Sequence, residues 1–593
     1  MNEKSIYELF QTICQKNQNS NAFSSKKGGQ WEAVTWGEHE RTCRSISKSL
    51  MALGIEHADK VNILSNTRLE WVQCDMGTVN IGAVTVGIYA ANLAEDCAYI
   101  INHSDAKIVF VENYDQLQKV ESLRDQMPGL QHIVLFDGHG KNENGIMGWD
   151  DFMAKGNTIS DAAFEERAAE TALDDLAAIV YTSGTTGVPK GAMITHENLL
   201  FTSWSVTECL EILPGYKTLL FLPLAHVFAR ILTFFSMRGA VTVYFAESIE
   251  TIGENLKEVQ PDFFASVPRI YEKVYDKITS GAKDAGGLKE KIFNWALATG
   301  MQVSALQQQN EKPGAVLGIK NSIADKLVFS KIKAAMGGRV IWAISGAAPL
   351  NKTIAEFFHA CGILVLEGIG MTENTSFTNV NRPDKFKFGT VGQPGPGIEQ
   401  AVAADGEVLY RGKNVMKGYF KAPEETAKTI DENGWLYTGD IGEIDADGFL
   451  KITDRKKDLI ITAGGKNIAP QRIEKIIRTS RYISQVVAYG DKKKFCSALI
   501  TVDQPQVEAW AIKKGLDVTA WKSLCESEEI KKLIFSEVQD KNKELSSYET
   551  LKKIIILPED FTIEAGELTA SMKIKRKVVI DRHKQQLEAL YDE

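Results

Sequence analysis

A loop rich in glycine and hydroxyl side chains follows an apolar stretch in the first third of the chain. The stretch LAAIV (176–180) precedes YTSGTTGVPKG (181–191), whose candidate anion donors are Thr182, Ser183, Gly184, Thr185, Thr186 and Gly187. Glycines let backbone N–H groups approach phosphate oxygens closely, hydroxyls add donors, and Lys190 adds positive charge. Val188 and Pro189 break the G-x-x-x-x-G-K-[ST] spacing of a Walker P-loop. The pattern predicts a different kind of phosphate-binding loop; the alternative is a flexible surface turn.

The composition is that of a globular protein with more than one core. A chain of 593 residues is too long for a single core, which predicts a large body and a smaller domain. The net charge of −9 argues against a nucleic-acid-binding surface as the main function. None of the eight cysteines has C-x-x-C spacing or a zinc-ligand pattern, and no stretch has the ~18 apolar residues of a membrane span. We therefore expect a reduced, cytoplasmic protein, with peripheral contact to the inner face of a membrane left open.

Apolar runs alternate with amphipathic stretches around the loop. Two stretches have helical periodicity, at residues 38–54 and 68–82. The β-branched runs that predict strands lie at 60–66, 83–89, 106–113, 132–138, 215–224, 240–246, 262–268, 339–346 and 362–370. Repeated strand–helix alternation predicts parallel sheets covered by helices.

Three regions depart from this alternation. Residues 281–337 are polar and helix-prone, which predicts a helical insertion between two strands. After residue 395, glycines and short alternating strands predict a small antiparallel or barrel-like part. The charged segment DRKKDL (454–459) is typical of a linker and equally of a solvated turn. The predicted fold class is α/β, with a large N-terminal body of layered β-α subdomains and a small β-barrel-like part (1–454), then a C-terminal α+β domain (455–593).

Eight motifs occur in order along the chain. They are YTSGTTGVPKG (181–191), FLPLAH (221–226), ISGAAPL (344–350), EGIGMTE (367–373), GEVLYRG (406–412), GWLYTGD (434–440), DRKKDLI (454–460) and SMKIKRK (571–577). Together they resemble the AMP-forming adenylate synthetases, a superfamily of acyl-CoA synthetases, luciferases and peptide-synthetase adenylation domains. The segment DFFASVPRIYEKVYDKI (262–278) and the insertion after it are similar to the long-chain fatty acyl-CoA synthetases.

The resemblance implies a reaction in two halves. A carboxylate attacks the α-phosphate of ATP, giving acyl-adenylate and pyrophosphate, and the thiol of coenzyme A then displaces AMP. Similar enzymes rotate a mobile C-terminal domain between the halves, about a hinge at the position of Lys457. Gly464, Gly465 and Lys466 of the AGGK turn would then face the adenylate and help form the pantetheine tunnel.

The resemblance also assigns residues to the nucleotide. Glu373 is expected to hold Mg²⁺ with Thr185 as a second ligand, and Thr372 to donate to the α-phosphate. Asp440 is expected to accept from the ribose hydroxyls, with Arg455 as a second contact. Without the other motifs, Glu373 would be interpreted as an ordinary acidic residue in the first turn of a helix, where it is stabilising. Further residues expected around the nucleotide are Gly346, Ala347, Ala348, Glu367, Gly368, Ile369, Gly370 and Met371. Ile369 departs from the family, where an aromatic contributing about 0.5–1.5 kcal/mol stacks on adenine.

Two further side chains are expected near the reacting carboxylate. In similar enzymes a lysine of the small domain cancels charge on the α-phosphate and the carboxylate, which assigns Lys573. Met572 stands where the family has glycine, so Lys575 is an alternative, as is a basic amphipathic stretch without a catalytic role. His226 resembles the histidine that flanks the acyl carboxylate, and a structural histidine is the alternative. The stretch VFARILTFF (227–235) is either a core helix or the wall of an acyl tunnel.

The leading hypothesis is a long-chain fatty acid:CoA ligase that uses a fatty acid, ATP and coenzyme A, with Mg²⁺. One alternative is an acyl-AMP ligase that loads a carrier protein, since a pantetheine thiol attacks in both cases. A second is a non-catalytic lipid-binding relative, against which Glu373, Asp440 and a C-terminal lysine argue. The acyl chain length and the oligomeric state are not specified by the sequence.

Overall fold

The computed structural model describes residues 3–138, 145–182, 188–463 and 466–592. Its strands, in chain order, are β1 (Asn21–Lys27), β2 (Gln30–Thr35), β3 (Lys60–Leu64), β4 (Val84–Ile88), β5 (Ala106–Val111), β6 (His132–Leu135), β7 (Ile146–Gly148), β8 (Leu176–Thr182), β9 (Lys190–Thr195), β10 (Lys217–Leu220), β11 (Thr242–Phe245), β12 (Phe263–Ser266), β13 (Trp342–Ser345), β14 (Val365–Ile369), β15 (Asn379–Val380), β16 (Gln393–Pro394), β17 (Glu399–Val402), β18 (Glu407–Arg411), β19 (Gly418–Tyr419), β20 (Leu436–Ile444), β21 (Leu450–Arg455), β22 (Ile460–Ile461), β23 (Asn467–Ile468), β24 (Ile483–Tyr489), β25 (Cys496–Val502) and β26 (Leu551–Leu557).

The helices alternate with these strands through most of the chain. They are α1 (Ile6–Lys16), α2 (Trp36–Ala52), α3 (Leu69–Val79), α4 (Ala94–His103), α5 (Tyr114–Glu121), α6 (Trp149–Lys155), α7 (Asp161–Ala169), α8 (His196–Cys209), α9 (Val227–Arg238), α10 (Ile252–Val259), α11 (Pro268–Ala285), α12 (Gly287–Gln308), α13 (Ala315–Ala324), α14 (Ser330–Ala335), α15 (Lys352–Ala360), α16 (Pro423–Thr429), α17 (Pro470–Ile477), α18 (Gln504–Lys513), α19 (Trp521–Glu526), α20 (Glu528–Lys541), α21 (Arg576–Arg582) and α22 (Lys584–Ala589). A π-helical turn at Asp325–Phe329 joins α13 to α14, and Thr372–Asn374 forms a 3₁₀ turn after β14.

The chain divides into two compact units. Unit 1 comprises Met1–Ala401, Leu409–Tyr437 and Ala446–Leu450. Unit 2 comprises Val402–Val408, Thr438–Asp445 and Lys451–Glu593. The domain boundary expected between residues 454 and 455 stays a prediction.

Unit 1 contains two large sheets with parallel centres. One has eight strands in the order β19-β9-β8-β4-β3-β5-β6-β7, and the other has nine in the order β16-β15-β14-β13-β12-β10-β11-β1-β2. Strands β4 and β5 flank β3 in parallel, with Val61 opposite both Thr85 and Ile108. Their nearly continuous β-branched runs suit strands that are covered on both faces, as parallel sheets are. The predicted α/β class is confirmed.

Helices α11 to α14 lie between β12 and β13. Helix α11 begins at Pro268, earlier than residue 281, where the sequence predicted that the insertion starts. Proline favours this start because it is well suited to the first helical position. Tyr271, Phe329 and Ile332 join the buried cluster that contains Phe357 and Phe358 of α15. The insertion is thereby anchored in the core of unit 1.

Unit 2 has its own core around a three-stranded sheet in the order β24-β25-β26. Strand β25 pairs antiparallel with β24 and parallel with β26, and all seven of its residues are buried. Ile473, Ile534 and Val538 pack from α17 and α20 in the same cluster. A four-stranded sheet, β17-β18-β20-β21, corresponds to the small part expected after residue 395. In the described ranges, no helix is long and apolar enough to cross a membrane.

Candidate functional site

The ends of the predicted phosphate loop are held by two adjacent strands. Strands β8 and β9 pair antiparallel, with Thr182 opposite Lys190 and Tyr181 opposite Gly191. The sheet therefore fixes both ends of the loop. Five of its predicted phosphate donors (183–187), among them the proposed metal ligand Thr185, lie outside the described residues.

Lys190 belongs to a polar cluster at the base of this loop. Its Nζ forms an ion pair with Glu425 and lies 5.4 Å from the ring centroid of Tyr419. Hydrogen bonds from Lys190 and then Lys428 lower the pKa of Glu425 to about 2. The Tyr419 hydroxyl in turn donates to Glu373 Oε1 at 2.6 Å. The predicted phosphate-binding lysine and the predicted metal-binding glutamate thus both contact one tyrosine.

Strand β19 places Tyr419 in this cluster. It pairs antiparallel with β9, with Tyr419 opposite Ala192. Burial and then the adjacent Glu373 carboxylate raise the pKa of Tyr419, so its hydroxyl remains a donor across the physiological range. Tyr419 and Glu425 were not predicted from the sequence, because one tyrosine after a glycine and one acidic helix residue carry no signal of their own. Only the pairing of β19 with β9 identifies them.

A second group of predicted residues meets at the carboxyl ends of β12, β13 and β14. Gly346 follows β13, and its N–H donates to the carbonyl of Ser266 at 3.1 Å. Glu367 of β14 lies opposite Ser345, and its Oε1 accepts from the Leu350 N–H at 2.9 Å. The carboxyl ends of parallel strands are where ligands bind in α/β sheets. The residues brought together there are Gly346, Ala347, Ala348, Glu367, Gly368 and Ile369.

The segment after β14 is tightly packed. A Cβ atom at Gly370 would lie 2.0 Å from the carbonyl oxygen of Ser376, so only glycine fits. The Met371 N–H donates to Asn374 Oδ1 at 2.7 Å, and the Ser376 N–H donates to the Met371 carbonyl at 2.8 Å. Thr372 and Glu373 in this turn are each 8% exposed. The turn holds both side chains in defined positions within unit 1.

His226 is the N-terminal cap of α9. Its Nδ1 accepts from the Phe228 N–H at 3.1 Å, which is a structural role at the start of the helix. A Cβ at Gly346 would lie 3.0 Å from Phe228 Cζ, so this end of α9 lies against the turn after β13. Farther along, Arg230 is buried and its Nε donates to Asp75 Oδ2 at 2.9 Å. Most of the 227–235 stretch is thus a core helix, and Phe228 is its contact with the candidate site.

In unit 2 the structure joins two predicted nucleotide ligands. Asp440 of β20 is 7% exposed, and its Oδ1 lies 2.8 Å from Arg455 Nε. Lys456 Nζ pairs with Asp405 and Glu407 at 2.6 and 2.8 Å. Lys457 is exposed in the turn that follows.

The remaining predicted residues of unit 2 lie on two turns. Lys466 is exposed, and its N–H donates to Thr462 Oγ1 at 3.1 Å; its neighbours Gly464 and Gly465 lie outside the described residues. Lys573 is exposed as well, on a turn where its N–H donates to Thr569 Oγ1 at 3.0 Å. Met572 has a φ of 62°, the left-handed conformation that glycine adopts at little cost. The position where the family has glycine therefore keeps a glycine-like backbone.

A buried acidic group lies beside the predicted hinge. Asp454 is 3% exposed, and burial raises its pKa to about 7. Its Oδ1 accepts from the Arg455 N–H at 2.6 Å, while Oδ2 has no hydrogen-bond partner among the described residues. Arg576 donates to Glu474 Oε1 at 2.5 Å nearby and lowers the pKa of Asp454 by less than burial raises it.

Family models match most of the chain. The model described as AMP-binding enzyme matches residues 10–420, and that described as AMP-binding enzyme C-terminal domain matches residues 457–593. A long-chain-fatty-acid–CoA ligase, FadD15, of Mycobacterium bovis is 37% identical over 569 residues, covering 95% of this chain and 93% of that protein. The human long-chain-fatty-acid–CoA ligase ACSBG2 is 32% identical over 601 residues, covering 96% and 90%.

Solved structures share the fold at lower sequence identity. The adenylation domain of a carboxylate reductase from Mycobacterium chelonae has a TM-score of 0.79 at 21% identity, covering 100% of this chain and 92% of that one. A fatty acyl CoA synthetase of Mycobacterium tuberculosis has a TM-score of 0.63 at 22% identity, covering 98% and 99%. These likenesses support the architecture of both units.

Proposed function

The chain belongs to the AMP-binding enzyme family, the AMP-forming adenylate synthetases, and from that premise we propose that it is a long-chain fatty acid:CoA ligase. It activates a fatty acid with ATP to acyl-AMP and pyrophosphate, then transfers the acyl group to coenzyme A with release of AMP. The single observation in the structure that carries the adenylation chemistry is the cluster of Lys190, Tyr419 and Glu373 beside the ends of the phosphate loop, while the relatives at 37% and 32% identity support the long-chain substrate. The charges of the cluster suit the β- and γ-phosphates and their counter-ion.

The first half-reaction brings a carboxylate to an anionic phosphate, so charge neutralisation and positioning are its main requirements. We propose that Lys190 and Thr182 hold the leaving pyrophosphate with the loop between them. Thr372 donates to the α-phosphate from the buried turn after β14. Gly346 to Ala348 and Glu367 to Ile369 provide a flat surface for adenine at the carboxyl ends of β13 and β14.

The donor set around Glu373 fits Mg²⁺. Mg²⁺ prefers oxygen ligands and is commonly held by one or two carboxylates together with substrate phosphates. Glu373 supplies one such carboxylate, with Oε1 fixed by the Tyr419 hydroxyl, and Thr185 is proposed as a second ligand. When bound, the ion would neutralise phosphate charge. The hydrogen bond from Tyr419 holds the Glu373 carboxylate in one orientation.

Residues of unit 2 complete the proposal. Asp440 accepts from the ribose hydroxyls and is held by Arg455. Lys573 supplies positive charge during adenylation, Lys457 is the hinge, and Lys466 acts with Gly464 and Gly465 in thioester formation. His226 flanks the acyl carboxylate from the start of α9. A cytoplasmic location with contact on the inner face of a membrane belongs to the same proposal, because long-chain acids partition into bilayers.

Pyrophosphate exchange tests the proposal directly. Purified protein should incorporate labelled pyrophosphate into ATP only when a fatty acid is present, and should form acyl-CoA when coenzyme A is added. Adenylation without acyl-CoA formation, together with loading of a holo carrier protein, would support the acyl-AMP ligase instead. Absence of exchange with every acid would leave a lipid-binding relative.

The acyl specificity has its own expected profile. Each buried CH₂ contributes about 0.8 kcal/mol, so kcat/KM should rise from C8 to about C16. Acetate and aromatic acids should be poor substrates. An optimum at acetate or at a ring-bearing acid would keep the adenylation chemistry and remove the long-chain assignment.

A further inference from the structure

Four large apolar side chains are exposed on one face of the helical insertion. Val316, Ile319 and Ile323 of α13 are 69%, 64% and 47% exposed, and Leu327 of the π-helical turn is 47% exposed. Their spacing of three, four and four residues keeps them on one side of the helix. We call these four residues the insertion patch.

The opposite face anchors the helix to unit 1. Ala324 and Phe329 are buried in the cluster that includes α15, and Val328 packs against it. The helix therefore packs on the core through its other face, and the four residues of the patch remain exposed. Single exposed apolar residues are ordinary, whereas an aligned group of four marks an interaction surface.

The surroundings of the patch are basic on an otherwise acidic protein. Between residues 311 and 339 the chain has six basic and two acidic residues, while its net charge overall is −9. Lys320 and Lys326 are exposed and are adjacent in the chain to Ile319 and Leu327 of the patch. Among the described residues neither forms an ion pair, whereas Lys333 pairs with Asp325. The positive charge at the patch is thus available to an anionic partner.

We propose that the insertion patch docks on a lipid bilayer that contains anionic headgroups. An apolar helix face bordered by lysines is the pattern of helices that lie in the interface of a membrane. The inference rests on the proposed function in one respect: a long-chain acid resides in bilayers, so docking there brings the enzyme to its substrate.

A second copy of the chain fits the patch less well. A symmetric contact through the patch would bring Lys320 and Lys326 of both copies into one interface, and like charges across an interface are unfavourable. A membrane offers the complementary charge and an apolar interior without this repulsion.

Vesicle co-sedimentation of the full chain tests the proposal. Phosphatidylcholine vesicles with and without phosphatidylserine are compared at low and high salt. Wild-type protein should sediment with the anionic vesicles, and high salt should weaken its binding. Ile319→Gln with Ile323→Gln should lower the bound-to-free ratio by at least about tenfold, because two apolar side chains no longer enter the interface.

The matched control changes two isoleucines outside the patch. Ile249 and Ile512 are 66% and 62% exposed, so Ile249→Gln with Ile512→Gln removes similar apolar surface and should leave binding unchanged. Lys320→Gln with Lys326→Gln keeps the apolar face and should lower binding to anionic vesicles by about tenfold. This second variant tests the proposal even if the isoleucine variant is poorly folded.

Three results would overturn the proposal. The first is a wild-type protein that sediments with neither kind of vesicle, and the second is full vesicle binding by both patch variants. The third is light scattering that shows a wild-type dimer, absent in the isoleucine variant, when the wild-type protein does not bind vesicles. Acyl-CoA formation from octanoate, which is monomeric in water, separates docking from catalysis. It should be unchanged in the patch variants, while a wild-type protein that binds vesicles but forms no acyl-CoA would contradict the proposed function alone.

Discussion

Two turns that carry predicted catalytic residues are built in opposite ways. In unit 1, the turn with Glu373 is buried, packs without space around Gly370, and receives a hydrogen bond from Tyr419. In unit 2, the turn with Lys573 is exposed, is closed by its hydrogen bonds to Thr569, and has Met572 in a left-handed conformation.

The difference separates two ways of supplying charge to a reaction. A buried carboxylate is oriented by its neighbours before any ligand binds, so a substitution among those neighbours should change both stability and activity. A lysine on an exposed turn contributes little to folding, so its replacement should affect activity almost alone. Each variant below tests one side of this contrast.

The largest effect is expected at Lys573. Lys573→Ala should reduce fatty-acid-dependent pyrophosphate exchange about 10²–10³-fold, because a positioned charge in the transition state is lost. The free energy of unfolding should change by less than about 0.5 kcal/mol. Thioester formation from synthetic acyl-AMP should be spared. Normal exchange in Lys573→Ala with loss in Lys575→Ala would show that the assignment is displaced by two residues.

Gly370→Ala should damage both stability and activity. The new methyl would collide with the Ser376 carbonyl, so the backbone must shift, at a cost of about 3 kcal/mol. The displaced Thr372 and Glu373 should lower exchange about 10²-fold. Denaturant unfolding and exchange measure the two losses. The control is Gly253→Ala in α10, where a Cβ meets nothing within 4 Å; equal behaviour of the two variants would contradict the tight-packing account.

Asp454→Asn should stabilise the protein in a pH-dependent way. The pKa of Asp454 is raised by burial to about 7, above the value of about 3.9 in an unfolded chain. Wild-type protein therefore loses stability as the pH rises from about 4 to about 7, and asparagine does not undergo this loss. Since one pKa unit corresponds to about 1.4 kcal/mol, we expect the variant's advantage to grow by about 4 kcal/mol between pH 4 and pH 8 and then to level off.

Thermal and denaturant unfolding between pH 5 and pH 8.5 measure this advantage. A stability difference that stays constant across the range, or a variant less stable than wild type at pH 8, would show that Asp454 is charged in the folded protein. Thr479→Ala, elsewhere in unit 2, controls for the general effect of pH on stability, because the Thr479 hydroxyl donates to the uncharged carbonyl of Ile476.

Met572→Gly should have the smallest effect. Relief of the left-handed strain is worth about 1–2 kcal/mol, and the greater freedom of glycine in the unfolded chain offsets about half of it. We expect a gain of about 0.5 kcal/mol with exchange activity kept. Met572→Ala retains a Cβ in the strained conformation and should bring no gain. A gain in both variants would point to the loss of an exposed apolar side chain instead.

Much of the fold could be predicted because it depends on local pattern. The β-branched runs near Val61, Val86 and Phe110 coincide with strands β3 to β5, and alternation with helices indicated parallel pairing. The family resemblance, confirmed by the matching relatives, gave the order of the site motifs. The roles of the individual site residues stay predictions.

The contacts that assemble the candidate site depended on strand order, which local pattern does not encode. Tyr419 reaches Glu373 across 46 residues, and Lys190 reaches Glu425 across 235. Both contacts exist because β19 adds to the edge of the eight-stranded sheet beside β9. A slip of one residue in that pairing would turn Tyr419 to the other face of the sheet.

The sequence by itself determined the side chains available for chemistry in this protein: a loop rich in glycine and hydroxyl groups, a glutamate after a buried strand, and a lysine near the C-terminus. These are properties of residue type and spacing along the chain. The tertiary structure decided which of them are held rigidly and which are exposed, and it placed Asp454 in a buried environment and the insertion patch in solvent. Burial results from packing between segments that are distant in the chain. It shifts the pKa of an acid, and an apolar face that it leaves exposed is available to a binding partner.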